Sequence, residues 1–116
     1  MNDFDIPIFK KSYDLYKTLH RYRKLVPKQD RHTIYEKVDT LTLDVIGGIL
    51  MASTQQKLAK VPTLELVSAK LNILRVLIRL MKDTKSIDIK KYVSLEAAID
   101  EIGRMLGGWI RSARTN

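Results

Sequence analysis

The sequence predicts an all-α fold, an antiparallel up-down-up-down four-helix bundle formed by a single domain over residues 1–116. Leucine, isoleucine and basic residues recur at helical spacing along most of the chain, whereas signals for strands are scarce. The periodic stretches are separated by three short turns, and short connections join antiparallel neighbours in a bundle. A length of 116 residues is enough for one hydrophobic core and favours a single domain.

The first helix is predicted to begin at Pro7, a residue suited to a first helical turn, and to end near Leu25. The Val26-Pro27 step ends it, because a residue before proline is disfavoured in the helical conformation. Its inner face consists of Ile8, Leu15, Leu19 and Tyr22, widened by Phe9, Tyr13 and Tyr16. Cations interrupted by Asp14 form an outer stripe, which is either a solvated face or a binding surface: Lys10, Lys17, Arg21, Lys24 and Lys28.

The second helix is predicted from about Thr33 to Lys60, after a turn with the sequence PKQDRHT. Its inward positions are Ile34, Val38, Leu41, Val45, Ile49 and Ala52. The pair Gly47-Gly48 lies inside this helix, where each glycine costs about 1 kcal/mol relative to alanine. We therefore expect another backbone to approach closely at this pair.

The third helix is predicted over Leu64–Met81, after a turn at residues 60–62, and carries two apolar stripes. The first repeats at three- and four-residue spacing, as in helices that pack against one another: Leu64, Val67, Leu71, Leu74, Ile78 and Met81. The second points away from it: Leu66, Ala69, Ile73, Val76 or Leu77, and Leu80. A helix that is apolar on two sides is buried on two sides. We therefore predict an interface with another copy of the chain through Leu66, Ile73, Leu77 and Leu80.

A polar stripe with three cations, Arg75, Arg79 and Lys82, separates the two apolar stripes of the third helix. Two guanidinium groups one turn apart can bind phosphate or carboxylate oxygens through paired hydrogen bonds. The alternative is pairing within the chain to carboxylates of the last helix, namely Glu96, Asp100 or Glu101. Both interpretations can hold if one partner positions the arginines for another.

The last helix is predicted from about Ile87 to Arg111, after a turn in which Ser86 is the expected cap. Its buried series is Tyr92, Leu95, Ile99, Ile102, Leu106 and Trp109. Two cations seven residues apart, Arg104 and Arg111, extend the basic surface. Gly103 and Gly107 lie one turn apart, which predicts a closely packed neighbour on that side.

The overall charge points to polyanionic partners. The chain carries 21 lysine and arginine residues against 13 aspartate and glutamate residues, a formal net charge of +8. Such an excess favours nucleic acid, an anionic membrane surface or an acidic protein, while a basic protein without such a partner is the simpler alternative. The N-terminus lacks the features of a signal peptide, and no apolar run approaches the ~20 residues that span a bilayer. We therefore expect a cytoplasmic protein without a membrane partner.

Most catalytic and metal-binding signatures are absent from the sequence. Without cysteine, and with only His20 and His32, thiol nucleophiles and most transition-metal sites lack their ligands. The glycines lie within predicted helices and form no phosphate-binding loop. Glu96 and Asp100 share a helix face, where pairing with nearby cations is the simpler interpretation. We therefore expect no enzymatic activity, no metal and no cofactor.

Three stretches of the sequence resemble a known family. VPKQDRHTIYEKVDTLTLDVIGGILMA is similar to its second-helix signature, and LNILRVLIRLM is similar to its third helix, with Leu71, Leu74, Arg75 and Arg79 at matching positions. EIGRMLGGWIR, residues 101–111, resembles its closing segment most specifically. The chain thus resembles the accessory variability determinant (Avd) family of diversity-generating retroelements, which is related to the four-helix bundle proteins of ribosomal intervening sequences.

The resemblance implies a four-helix protomer that assembles into a pentameric ring with a basic surface. Such proteins bind the reverse transcriptase and template RNA of the retroelement and support mutagenic cDNA synthesis without being the polymerase. By resemblance, Arg75 and Arg79 are suited to contacting the transcriptase or RNA, while glycines near Trp109 serve packing.

Two alternatives remain open at the level of sequence. The first is a bundle of the intervening-sequence type that binds an unknown partner and has no link to a retroelement. The second is a small helical enzyme resembling chorismate mutases, which hold a dicarboxylate with cations from helices. That enzyme requires cations converging in a pocket, whereas the stripes in this chain point toward surfaces.

Overall fold

Four long helices form the architecture of residues 6–115, the part of the chain described by the computed structural model. They are α1 (Pro7–Tyr22), α3 (Ile34–Thr54), α4 (Lys60–Asp83) and α5 (Ile89–Arg114). A 3-10 turn (Arg23–Leu25) extends α1, and a short helix α2 (Lys28–Arg31) follows it. Helices α1 and α4 each pack against both α3 and α5, so they occupy opposite corners of the bundle. No strand occurs within residues 6–115, which agrees with the predicted all-α class.

The core is built from the stripes that the sequence predicts. All six residues of the first α4 stripe are buried, from Leu64 to Met81. They meet four buried residues of α5, namely Leu95, Ile99, Ile102 and Leu106. Full burial of one such aliphatic side chain contributes about 1.5–3 kcal/mol. Apolar periodicity therefore determines which face of each helix points inward.

The connection between α3 and α4 differs from the prediction. Helix α3 ends at Thr54, and α4 begins at Lys60, so the predicted turn at residues 60–62 is wrong and the connection is residues 55–59. Pro62 is the third residue of α4. The first N–H groups of a helix have no partner within the helix, so proline is tolerated in the first turn.

The predicted cap of the last helix is also wrong. Asp88 caps α5 and accepts a hydrogen bond from the backbone N–H of Lys91 at 2.8 Å. Ser86 is instead buried and donates to Oδ2 of Asp30 at 2.5 Å. This hydrogen bond joins the α4–α5 connection to α2, a contact between residues distant in sequence.

The segment that leads into α3 is held by side chains that bond to backbone carbonyls. Arg31 donates from Nε to the carbonyl of Val26 and from Nη2 to that of Lys24, both at 2.8 Å. The hydroxyl of Tyr35 donates to the carbonyl of Leu19. Burial raises the pKa of Tyr35 to about 12, because the phenolate would be poorly solvated at this position.

The sequence predicts the approach of another backbone at the glycine pair, but the close neighbour is a side chain and lies at Gly48 only. A Cβ atom built at Gly48 would overlap Cγ2 of Val67 on α4, whereas a Cβ at Gly47 would meet nothing within 4 Å. On α5, a Cβ at Gly103 would lie 3.4 Å from Nη2 of Arg75 and 3.7 Å from Cδ2 of Leu71. The predicted neighbour from another helix is therefore present at Gly103, while a Cβ at Gly107 would meet only Arg111 of its own helix.

Candidate partner-binding surfaces

The second apolar stripe of α4 faces solvent in the protomer. Its most exposed large side chains, the α4 ridge, are Leu66 (57%), Ile73 (49%), Val76 (63%) and Leu80 (45%). Leu77 is half-buried and packs against the core, so Val76 rather than Leu77 is the exposed member at that turn. Because the core residues of α4 occupy the opposite side, this ridge remains largely exposed in the protomer.

Arg75 is tied to the neighbouring helix. Its Nη1 donates to Oδ1 of Asp100 in an ion pair between α4 and α5. Gly103 leaves space beside the other terminal nitrogen, Nη2. The pairing with Asp100 considered in the sequence is therefore present, and it neutralises Arg75 locally. Glu96, the other carboxylate on that face, accepts a hydrogen bond from the hydroxyl of Tyr92.

Arg79 and Lys82 lie beyond Arg75 along α4, next to Tyr92. Lys82 Nζ lies 4.8 Å from the centroid of the Tyr92 ring and 3.3 Å from Oδ1 of Asp83. Arg79 is exposed and forms no ion pair or hydrogen bond to another side chain within residues 6–115. The hydrogen bond to Glu96 raises the pKa of Tyr92, and the charge of Arg79 acts in the opposite direction. Arg79 is therefore a cation available to a partner.

Arg104 and Arg111 place two more cations on α5. Both are exposed and have no ion pair within the described residues. Arg104 borders a shallow cleft of about 360 Å³ between α4 and α5 that also contains Asn72 and the Arg75–Asp100 pair. The guanidinium of Arg111 lies over Gly107 and Gly108. We call Arg79, Arg104 and Arg111 the seam cations, because all three lie along the α4–α5 side of the bundle.

The predicted stripe on α1 forms a separate cationic surface. Lys10 pairs with Asp14 at 3.3 Å, and Arg21 donates to the hydroxyl of Thr18 at 3.2 Å. Lys17 lies 5.7 Å from the centroid of the Tyr13 ring, and Lys24 is exposed. Lys17 and Arg21 border the groove between α1 and α3, so this stripe faces α3 and not the α4–α5 side on which the seam cations lie.

A groove between α1 and α3 was not predicted from the sequence. It has a volume of about 650 Å³, and aromatic side chains of α1 face aliphatic side chains of α3, chiefly Tyr13, Tyr16, His20, Leu43 and Leu50. The pKa of Tyr16 is raised, first by burial and then by its hydrogen bond to Asp39. The signal in the sequence was the spacing of Leu43, Ile46 and Leu50, a second apolar face on α3.

Neither a membrane span nor a metal cluster can be identified in the described residues. No helix there is long and apolar enough to cross a bilayer. Within residues 6–115, no three side chains of the histidine, aspartate and glutamate types converge as metal ligands.

Comparisons with known proteins give one family and one fold. The model of the bAvd-like family matches residues 7–113, which confirms the resemblance to Avd proteins. The chain is also similar to a crystal structure from Bacteroides thetaiotaomicron, described as a protein with unknown function from the S23 ribosomal protein family. The TM-score is 0.80 at 19% identity, over 90% of this chain and 98% of the other. That similarity concerns the fold alone, and no curated protein matches the chain.

Proposed function

Because this chain belongs to the bAvd-like family, we propose that it is an accessory protein of a diversity-generating retroelement. In this proposal it acts in the cytoplasm, binds the reverse transcriptase and the template RNA, and supports mutagenic cDNA synthesis. The family is of an accessory and non-catalytic kind, so the chemistry of synthesis belongs to the transcriptase. The match over residues 7–113 is the observation that carries the proposal.

The seam cations provide a surface suited to RNA. A guanidinium that already pairs with a carboxylate gains little from a phosphate, because the phosphate must compete with that partner. Arg79, Arg104 and Arg111 have no such partner in the described residues, whereas Arg75 is held by Asp100. We therefore assign the principal RNA or transcriptase contacts to the seam cations. Lys82 is not among them, because it pairs with Asp83. Arg75 then has a structural role on this surface, because its ion pair with Asp100 links α4 to α5.

We further propose that the protein works as a homo-oligomer, with a pentameric ring as the expected form. The α4 ridge supports assembly, because four large aliphatic side chains are between 45% and 63% exposed in the protomer. Contiguous apolar surface of this kind marks interaction sites in proteins.

The test of the RNA surface compares two variants that remove the same amount of charge. Arg79→Ala with Arg104→Ala is expected to reduce capture of template RNA by about tenfold or more, because a cation that neutralises a phosphate also releases its counterion. Lys10→Ala with Lys24→Ala changes the α1 stripe by the same two charges and should have a smaller effect. Capture is measured by filter binding at a fixed moderate salt concentration, and light scattering checks that the native mass is unchanged.

Either result of this comparison locates the surface. A larger loss from the α1 pair would move the site to that stripe, and wild-type capture by both pairs would contradict binding through a basic surface.

A binding module of the intervening-sequence type is the alternative function, and the S23-family structure supports it at the level of fold alone. Failure to capture the transcriptase encoded beside this gene, or the absence of such a gene, would favour that alternative.

A further inference from the structure

Aromatic side chains of α1 line the groove between α1 and α3 and are not fully buried in the core. The sequence predicts Tyr13 and Tyr16 on the inner face of α1, yet Tyr13 is 40% exposed and Tyr16 is only half-buried. His20 lies one turn beyond Tyr16 and is exposed. All three residues line the groove, so their rings are accessible from outside the protomer. An exposed row of rings of this kind indicates a binding surface.

The rings form a platform along one side of α1. Their spacing of three and four residues places them on the same face of the helix. The rings of Tyr16 and His20 are stacked, with centroids 6.4 Å apart and planes inclined by 26°. The ring of Tyr13 lies 6.0 Å from that of the buried Phe9. Because every nucleobase has a π face, a platform of aromatic rings binds unpaired bases without requiring a particular sequence.

The opposite wall of the groove is aliphatic. It is formed by Leu43, Ile46 and Leu50 of α3, and the groove has a volume of about 650 Å³. A flat base that enters it contacts rings on one side and aliphatic groups on the other. The imidazole of His20 adds a hydrogen-bonding group for the polar edge of the base.

The charge of the groove favours an anionic occupant. Lys17 and Arg21 line it, and among residues 6–115 no acidic side chain does so. Neither cation forms an ion pair in that part of the chain. Arg21 donates to the hydroxyl of Thr18, and Lys17 Nζ lies 5.7 Å from the centroid of the Tyr13 ring. Cations that alternate with aromatic rings suit a single strand, in which phosphates alternate with bases.

We propose that the groove between α1 and α3 binds unpaired nucleotides of RNA, with the bases against the rings and the phosphates near Lys17 and Arg21. This inference rests on the RNA binding proposed above and adds a second kind of contact. The seam cations bind phosphates of paired and unpaired RNA alike, whereas the groove accepts only bases that are free to unstack. Bases in loops and single strands can do so, but bases inside a duplex cannot. The groove therefore gives the protein a preference for single-stranded RNA.

An acidic amphipathic helix of a protein partner is the competing occupant, because such helices also bind apolar grooves. It would match the cations as well as RNA does. It has no need of π faces, however, and aromatic rings make up most of the α1 wall. The observations therefore favour nucleotides, and the two occupants respond differently when the rings are replaced by aliphatic side chains.

The first test removes aromatic faces and keeps the apolar surface. Tyr13→Leu with His20→Leu changes two exposed residues and leaves the formal net charge unchanged. The affinity for a short single-stranded oligouridylate should fall by about tenfold, because stacking on two rings is lost. The affinity for an RNA duplex with the same number of phosphates should not change. Tyr13→Phe with His20→Phe keeps both rings and is the matched control, expected to bind both RNAs as the wild type does.

Fluorescence anisotropy of labelled RNA measures these affinities, and circular dichroism checks that each variant is folded. Wild-type affinity of the leucine variant for the single strand would overturn the proposal, as would an equal loss on both RNAs. Wild-type RNA affinity combined with reduced capture of the purified transcriptase would assign the groove to a protein partner, which also overturns it. If the inference alone is wrong, Arg79→Ala with Arg104→Ala still weakens binding of both RNAs. If the wild type binds neither RNA, the RNA binding proposed above fails as well.

A second measurement locates the contact on the unmodified protein. A bromouridine-substituted single strand is irradiated in complex with the wild type, and the crosslinked residues are identified by mass spectrometry. Crosslinks are expected at Tyr13, Tyr16 or His20. Crosslinks confined to α4 and α5 would overturn the proposal and leave the seam cations as the RNA surface.

Discussion

At the scale of single residues, the adjacent glycines of α3 have opposite roles. Gly48→Ala places a methyl group against Cγ2 of Val67, so we expect a decrease of about 1–3 kcal/mol in the free energy of unfolding. The methyl group added by Gly47→Ala faces open space. The free energy of unfolding should therefore rise by about 1 kcal/mol, because alanine has a higher helix propensity than glycine. Urea denaturation measures both changes, with Ile73→Asp present in each protein to keep it monomeric.

The explanation for Gly48 can be checked by shortening its neighbour. Val67→Ala removes the methyl group that a Cβ at Gly48 would overlap, so Gly48→Ala should cost much less in that background. An equal cost with and without Val67 would mean that backbone conformation, and not the approach of α4, explains the glycine.

At the scale of helices, the stability of the fold depends on pH through Asp88, the residue that caps the start of α5. Hydrogen bonds from the side chain and backbone of Lys91 lower the pKa of Asp88 below its ordinary value. A lowered pKa in the folded state stabilises the fold above the pKa of the unfolded state, near 3.8, and this contribution is lost as pH falls through the folded value. Asp88→Asn, which keeps a capping oxygen, should therefore melt at a temperature that depends less on pH between neutrality and pH 3. An identical pH dependence in the variant and the wild type would contradict this role for Asp88.

The helices also show how far the sequence determines the fold. The buried face of α4 was predicted residue by residue, because the apolar period alone selects it. The ends were predicted less well, since Pro62 is tolerated in a first turn and Ser86 bonds to Asp30, 56 residues away. Similarly, Arg75 was recognised as a candidate, but its pairing with Asp100 depends on the register of α4 against α5. The groove between α1 and α3 arises only after two moderately apolar faces meet.

At the scale of the whole molecule, the two proposed kinds of contact should respond differently to salt. Binding of RNA through the seam cations releases counterions, so its affinity should fall steeply as salt rises. The α4 ridge is mainly apolar, and screening acts only on the surrounding charges. Rising salt should therefore release RNA first and leave the assembly intact.

This separation can be measured in one titration. Native mass and RNA capture are followed together between about 0.05 and 1 M salt, a range over which the Debye length falls below 10 Å. Arg79→Ala should reduce the slope of log affinity against log salt by about 0.7 for a single-stranded site, the value for one neutralised phosphate, and leave the mass curve unchanged. If mass and capture instead decline together, the seam cations act through assembly, and the separation of the two surfaces is wrong. If the slope is unchanged while affinity falls, Arg79 contacts the transcriptase or a base and not a phosphate.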